Sequence, residues 1–369
     1  MKKNVAIICS IIILLLSFQT SAAENVTSKI ALEDVIKNAL SSNSSIQLFN
    51  NKIIVAERKY NSAVSKASDF TGKVGYTSEE RINNAKIQFL APLQRLAELN
   101  ELIWNKQEYE KELKLDITEL YYQLLLLDQK FQNQKDVIDR VKLDLDIKNK
   151  QVKIGTVLAY DLLPLEIAVD EAELRAIDIQ REIDKLVMDL NIKMGFDIYS
   201  KWVLINRSLP EVDFIITKID DTVASVVSTS HSILKLEEEK MLIDKELELN
   251  IGYAIKETPD TVEALREKSN NLKYSIKDER ISVEYRVRSD YNNLLNLLDD
   301  VKIAKLDYDM SEKLLAIAQV KYDKGLISNF EYQRLVGERD ASQLAYNQAK
   351  LNYYLAVENF KTYIGHVEK

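Results

Sequence analysis

The chain of 369 residues contains only 8 glycines and 4 prolines, and 29% of its residues are charged. So few turn-forming residues exclude a protein built from many short strands and tight turns. Apolar residues at helical spacing instead predict a few very long helices. The formal net charge of −8 argues against nucleic acid as a partner.

The first 23 residues have the three-part pattern of a secretory signal: two lysines, an apolar run from Val5 to Phe18, and small residues before the cleavage site. We expect cleavage after Ala22 or Ala23. A retained membrane anchor is the alternative, although the run is short for a spanning helix. The single cysteine, Cys9, lies in this segment, so the exported chain is predicted to have no disulfide. No later run is apolar and long enough to predict a transmembrane helix in the mature chain.

The rest of the sequence contains an internal repeat. The stretch "YYQLLLLDQ" from Tyr121 resembles "YNNLLNLLDD" from Tyr291, and the same offset of 170 residues places Gly155 on Gly325. Near the start of each half, "LSSNSSI" resembles "VSTSHSI" at an offset of 187, so the first half carries extra residues. We predict a signal peptide at 1–23, a first helical hairpin repeat at 24–195, a linker at 196–219 and a second hairpin repeat at 220–369.

Each repeat has the apolar pattern of long coiled-coil helices. The helix from about Arg81 to Ile154 contains no glycine and could reach roughly 100 Å at 1.5 Å per residue. After Gly155, apolar residues alternate at spacings of three and four, which requires a partner helix. These residues are Leu162, Leu165, Val169, Ala172, Ala176, Ile179, Ile183, Leu186 and Leu190. A free-standing coiled-coil spacer is the alternative interpretation.

Both long helices are predicted to end in the same kind of turn, in which a glycine adopts positive φ just beyond the helix end. In the second repeat, Ser328 or Asn329 can cap the next helix, with Glu331 in its first turn. Apolar residues in these turns favour a docking role at the tip of a long hairpin, whereas a purely structural helix–helix turn is the alternative. The candidate docking residues are Gly155, Thr156, Val157, Leu158, Gly325, Leu326, Ile327 and Ser328.

Together these landmarks resemble the TolC family of outer-membrane efflux channels. In that family each exported hairpin has a turn after its long helix and a closing helix that ends near a glycine. The counterparts here are Gly155 to Leu162 with the closing Gly195, and Gly325 to Tyr332 with the closing Gly365. The opening Ile30 to Gln47 is also similar to the beginning of the family's sequences. The resemblance implies an all-α fold of long antiparallel coiled-coil hairpins in tandem duplication.

The resemblance also implies a homotrimer whose helices close into a hollow α-barrel. Its hairpin tips would meet a membrane-fusion adaptor and an inner-membrane exporter, and solutes delivered by that pump would pass through passively. Neither catalytic residues nor a cofactor or metal is implied.

The segments at which the family inserts membrane strands depart from its pattern. Neither Ser68 to Pro92 nor Leu249 to Leu265 contains two alternating strands of membrane length, and "AKIQFLA" from Ala85 is compatible with one short strand at most. We therefore expect little or no β-barrel. The predicted location is the extracytoplasmic cell envelope, either the outer membrane or the wall of a single-membrane bacterium.

A second departure follows the second turn, where family members often place two acids three residues apart to narrow the channel. Glu331 keeps the first acid but Arg334 replaces the second, and Asp161 matches Glu331 in the first repeat. If these candidate constriction residues face the lumen, mixed charge would weaken cation selectivity. The alternative is that Glu331 and Arg334 pair on the surface.

Patterns typical of enzymes are absent from the sequence. His231 and His366 lie far apart, so neither a zinc site nor a histidine-based triad is predicted, and there is no glycine-rich phosphate loop. Two alternatives to a channel are compatible with the sequence. One is a secreted all-α pore-forming toxin, although no apolar hairpin long enough to enter lipid occurs, and the other is a coiled-coil spacer of the envelope.

Overall fold

The computed structural model describes residues 28–205, 209–216, 218–255 and 259–365. The predicted signal peptide and His366 lie outside these ranges. Within them the chain is helical apart from one parallel pair of three-residue strands, which confirms the all-α class.

In chain order the elements are β1 (Ser28–Ile30), α1 (Leu32–Ser42), α2 (Ser44–Asp69), α3 (Ser78–Ala85), a π-helical turn (Lys86–Leu90), α4 (Ala91–Lys153), a 3₁₀ turn (Ala159–Leu162), α5 (Leu163–Met194), β2 (Trp202–Leu204), α6 (Ile219–Thr229), α7 (His231–Tyr253), α8 (Pro259–Asp323) and α9 (Asn329–Ile364).

Each of the two longest helices, α4 with 63 residues and α8 with 65, packs along two shorter helices that lie end to end. We call each such pair of shorter helices, and each long helix, a rod. Lys142 of α4 pairs with Glu173 of α5 near one end, and Tyr109 of α4 packs on Phe49 of α2 farther along. Thus α5 and α2 follow each other along α4. In the same way α9 and α7 follow each other along α8.

The two halves join through α4, which also packs against α9 and α7. Asn347 of α9 donates to Gln129 of α4 at 2.9 Å, and Asn100 of α4 donates to Glu238 of α7 at 2.7 Å. The rods therefore form a row in the order α5 with α2, then α4, then α9 with α7, then α8. The α5–α2 rod and α8 are the edges of this row.

The internal repeat is visible in the element bounds and in the core. Helices α4 and α8 end at Lys153 and Asp323, which are equivalent at the offset of 170. Each half has its own cluster of buried apolar residues. Tyr121 donates its hydroxyl to the carbonyl of Ile205 at 2.8 Å, and the equivalent Tyr291 donates to Ile216 at 3.2 Å. The boundaries of the two predicted repeats as separate units stay a prediction.

The extra residues of the first half form a cap at the end of the rods opposite the glycine turns. The segment from Ala85 to Ala91, compatible with a short strand from its sequence, is helical: α3 continues through the π-helical turn into α4. Ala85 and Leu90 are buried against Leu249 of α7, and Lys86 pairs with Glu246 at 2.5 Å. Packing against α7 therefore decides the conformation of this segment.

Among the described helices, none combines the length and the apolar character needed to cross a membrane.

The linker after α5 is held by one fully buried amide. Asn191 donates to the carbonyls of Ile198 and Ser200 at 3.1 and 2.9 Å and accepts from the indole of Trp202 at 2.7 Å. These bonds bring β2 back beside β1. The amide therefore connects the end of α5 to the strand pair.

Replacing Asn191 with alanine should lower the free energy of unfolding by about 2–3 kcal/mol, because the fully buried amide and its three part-buried hydrogen bonds are lost. Asn352→Ala is the matched control, since this exposed amide only accepts from Gln348. We expect the control to stay within about 0.5 kcal/mol. Urea midpoints at unchanged slope measure both values. Equal losses in the two variants would contradict the assigned role of Asn191.

Candidate functional site

The two glycine turns lie at the same end of the row of rods. Asn329, the first residue of α9, donates to Asp144 near the end of α4 at 3.0 Å. Because α4 leads into the first turn and α9 leaves the second, both turns form tips at this end. The structure thus brings together two groups of candidate residues that are 170 apart in sequence.

At the first tip, Gly155 has φ of 78° and lies just beyond the end of α4. Its amide donates to Val152 at 2.9 Å, and the amide of Thr156 donates to Gln151 at 3.0 Å. This pair of bonds is a Schellman motif, which satisfies carbonyls that the helix end would leave free. The predicted positive φ is confirmed.

The second tip repeats this geometry. Gly325 has φ of 69°, its amide donates to Tyr322 at 2.8 Å, and the amide of Leu326 donates to Lys321 at 2.8 Å. Apart from the two chain neighbours, no described atom lies within 4 Å of the position that a Cβ would occupy at either tip glycine. Backbone conformation, and not lack of space, therefore favours glycine at both tips.

The helices that leave the two tips begin differently. Ser328 is the N-cap of α9, and its hydroxyl accepts from the amide of Glu331 at 3.1 Å. At the first tip a 3₁₀ turn intervenes, in which the amide of Asp161 donates to Leu158 at 3.0 Å, and α5 begins only at Leu163. Asp161 therefore does not open a helix as Glu331 does.

Both tips expose large apolar side chains. Leu158 and Leu326 are 73% and 69% exposed, whereas Val157 and Ile327 are half-buried and support the turns. Sequence reasoning missed three further exposed residues beside the turns. These are Ile154, Tyr160 and Phe330, each 74–78% exposed. Their apolar character at a predicted tip was the signal that could have identified them.

The three candidate constriction residues are all exposed, namely Asp161, Glu331 and Arg334. Arg334 forms its salt bridge with Glu338, one turn farther along α9. The surface pair between Glu331 and Arg334, which was the alternative to a role in the lumen, is therefore not the pair that forms. An i,i+4 partner is as close on a helix as an i,i+3 partner, so the spacing could not decide between them. A constricting role for these residues stays a prediction.

Close to the second tip, two tyrosine rings connect α8 to α9. The rings of Tyr322 on α8 and Tyr332 on α9 stack with centroids 5.0 Å apart and planes 12° apart. Farther from the tip, burial raises the pKa of the Asp340 carboxyl, although Arg339 lies 2.9 Å away and opposes this shift. The hairpin thus holds a buried carboxyl close to an arginine.

Within the described ranges, no three histidine, cysteine or acidic residues are grouped so that they could hold a metal ion.

Replacing Gly155 with valine should destabilise the first tip by about 1–3 kcal/mol, because a β-branched residue is strained at positive φ. Gly337→Ala is the control, and its change in stability should have the opposite sign. Gly337 lies inside α9 with open space around it, so an added methyl group should stabilise the helix by about 0.5–1 kcal/mol. Hydrogen exchange of the flanking amides measures both effects, and changes of the same sign would contradict the assigned turn geometry.

Comparison with known proteins shows which solved structures share this fold. No family model matches the sequence, and no curated protein matches it. The fold, however, is found in solved structures. The Campylobacter jejuni outer-membrane channel CmeC superimposes with a TM-score of 0.68 at 12% identity, over 92% of this chain and 87% of that one.

Two further structures show the same likeness. The outer-membrane protein VceC from Vibrio cholerae has a TM-score of 0.64 at 10% identity, over 90% of this chain and 96% of that one. A membrane protein from Pseudomonas aeruginosa has a TM-score of 0.69 at 10% identity, over 90% and 92% of the two chains. The TolC-like fold expected from the sequence is thereby confirmed, and at such low identity the likeness concerns the fold alone.

Proposed function

We propose that the chain is one subunit of a closed ring of identical copies that forms a TolC-like conduit, through which solutes delivered by a pump and an adaptor pass passively. The observation that carries this proposal is that the two edges of the row of rods expose apolar side chains that no other helix covers in the described part of the chain. Long helices with exposed apolar stripes need a covering helix, and here only another copy offers the complementary edge.

Exposed apolar residues follow one face of each edge helix at spacings of four, seven and three residues. They are Leu163, Ile167, Leu174 and Ile177 on α5, and Leu306, Met310, Ile317 and Val320 on α8, all 47–67% exposed. The two stripes lie on the halves of α5 and α8 nearest the tips. Since α5 runs away from the tips and α8 runs towards them, the two edges would meet antiparallel.

The contact between α4 and α9 inside the chain is a template for the contact between α8 of one copy and α5 of the next. Shifting Gln129 and Asn347, which are hydrogen-bonded, by the repeat offset gives Asp299 on α8 and Ile177 on α5. The repeat therefore predicts that α8 of one copy packs on α5 of the next as α4 packs on α9 within a copy.

The side chains at the shifted positions differ from those of the contact within the chain. Asp136 and Arg140 of α4 lie close enough to Asp340 of α9 to influence the pKa of its carboxyl. Their equivalents on α8 are the exposed and apolar Leu306 and Met310. The counterpart of Asp340 on α5 is the exposed Asp170, so the contact between acid and base within the chain would not recur between copies. Apolar contact between copies would come instead from Ile167 and Leu174, which are exposed on α5 on either side of Asp170.

When one edge of a copy binds the different edge of the next copy, the copies form a closed ring if the rotation between neighbours adds up to a full turn. The fold is shared with outer-membrane channels, and the TolC resemblance implies three copies, so we propose a homotrimer. The exposed tips would then surround one mouth of the ring, where they would dock on a membrane-fusion adaptor of an inner-membrane exporter. The protein would work in the extracytoplasmic envelope.

Replacing Met310 with glutamate should prevent ring closure, because it places a carboxylate beside Asp170 and among the exposed apolar residues of the neighbouring α5. Leu143→Glu is the matched control: Leu143 is similarly exposed, at 54% against 61%, but lies on α4 away from both edges. The masses of the purified variants by light scattering measure assembly. We expect single chains for the first variant and trimers for the second; trimers in both would contradict the edge contact.

Replacing Gly325 with valine should impair export while the amount of secreted protein stays unchanged. Strain of about 1–3 kcal/mol at positive φ would reduce the population of the correct tip about 5- to 150-fold. Gly325→Asn should be milder, because asparagine tolerates this conformation better. Accumulation of fluorescent pump substrates inside the cells measures export, with Gly337→Ala as control. Unchanged export in Gly325→Val would contradict a docking role for the tips and leave them a structural role.

A further inference from the structure

Two stacked pairs of tyrosine rings join α8 to α9 behind the second tip. The ring centroids of Tyr322 and Tyr332 lie 5.0 Å apart, and those of Tyr308 and Tyr346 lie 6.0 Å apart. The ring planes are 12° and 10° from parallel. Tyr308 precedes Tyr322 by 14 residues on α8, as Tyr332 precedes Tyr346 on α9. This spacing is two heptads, so the antiparallel packing of the two helices sets both stacks.

The pair nearer the tip is open to small molecules from the solvent. An open groove of about 580 Å³ between α8 and α9 is lined by Tyr332, Gln319 and Glu312, among other residues. Tyr322 is 38% exposed beside its stacked partner. A small oxidant can therefore reach this pair, although the stack is part of the contact between two helices.

The hydroxyl of Tyr332 donates a hydrogen bond to the side-chain oxygen of Gln319, which precedes Tyr322 by one turn of α8. A tyrosine becomes a neutral radical when it loses one electron and its hydroxyl proton. An acceptor that already holds this proton in a hydrogen bond favours the oxidation. The environment of Tyr332 is therefore suited to the formation of a radical.

The pair farther from the tip is less suited to oxidation. Tyr308 also donates its hydroxyl, to Glu312 at 2.5 Å, but the two rings of this pair lie farther apart. The ammonium of Lys350 lies 5.6 Å from the ring centroid of Tyr346. A positive charge beside the ring disfavours the removal of an electron from it. We therefore expect the pair nearer the tip to react first.

Parallel rings at the separation of Tyr322 and Tyr332 are arranged for carbon–carbon coupling. When each tyrosine has lost one electron and its hydroxyl proton, the two radicals combine through ring carbons that neighbour the oxygen-bearing carbons. The hydrogen atom on each coupled carbon then moves to the oxygen, which restores both phenols as dityrosine. Hydrogen peroxide, acting through a haem peroxidase, accepts the two electrons and two protons and becomes two molecules of water.

We propose that Tyr322 and Tyr332 are a site of oxidative modification, at which peroxide and a peroxidase join the two rings as dityrosine. Because the two residues are close in sequence, the link would remove little entropy from the unfolded chain. Its main effect would be local, since the end of α8 and the start of α9 could no longer separate. This inference goes beyond the proposed conduit and does not depend on it, because both tyrosines belong to one chain.

The test is oxidation of the dilute exported protein by a haem peroxidase with limiting hydrogen peroxide, followed by tryptic digestion and mass spectrometry. Trypsin cleaves after Lys321, Lys324 and Arg334. The expected product is the peptide 322–324 linked to the peptide 325–334, lighter by two hydrogen atoms than the separate peptides.

Tyr332→Phe should lower the dityrosine formed within single chains at least about fivefold, because coupling is fast only between rings that the fold holds together. Phenylalanine keeps the stacked ring, so the variant should retain the helix content of the parent. Tyr285→Phe is the matched control, because Tyr285 is 73% exposed on α8 but stacks on no other ring among the described residues. We expect the control to change the yield less than about twofold.

The linked peptides in the parent and the control, with their loss in Tyr332→Phe, support the inference. Equal yields of dityrosine in Tyr332→Phe and the parent overturn it, and so does a link between Tyr308 and Tyr346 in its place. Absence of dityrosine within single chains also overturns it. Light scattering of the unoxidised samples measures the ring separately, so a monomer that forms the link would contradict only the conduit.

Discussion

The position of α4 between two composite rods is the constraint on which the rest of the structure depends. A helix of 63 residues is about 95 Å long and gains most of its stability from packing along its sides. In this chain α5 and α2 cover one side, while α9 and α7 cover another. Because the repeat supplies only four rods, the outer two keep an uncovered side, and this uncovered side leads to the proposed ring.

Features governed by local backbone chemistry could be predicted from the sequence. Glycine is the residue that adopts positive φ at little cost, so two glycines at the repeat offset indicated two equivalent helix ends. The apolar seam after Gly155 was equally informative, since Val169, Ala172, Ile179 and Leu190 are all buried in α5. The equivalence of Tyr121 and Tyr291 also extends to their hydrogen bonds.

Features decided by packing between distant segments could not be predicted. The segment from Ala85 alternates well enough for a strand, but contact with Leu249 of α7 makes it helical. Arg334 had acids one turn away on both sides, and only the folded helix selects Glu338. The exposed stripes on α5 and α8 were not predicted: the apolar seam after Gly155 does not include Ile167 or Ile177, and a sequence pattern does not reveal which further apolar face lacks a partner.

A link between Ile177 and Asp299 tests the central claim most directly, because these residues lie on opposite edges of one chain and meet only if α8 of one copy packs on α5 of the next. The exported double variant Ile177→Cys/Asp299→Cys would be treated with a short bismaleimide; Cys9, the single native cysteine, lies in the predicted signal. The account predicts linked products that stop at three chains, and none from either single variant. Unlinked single chains alone, or linked products of more than three chains, would contradict the closed ring of three copies.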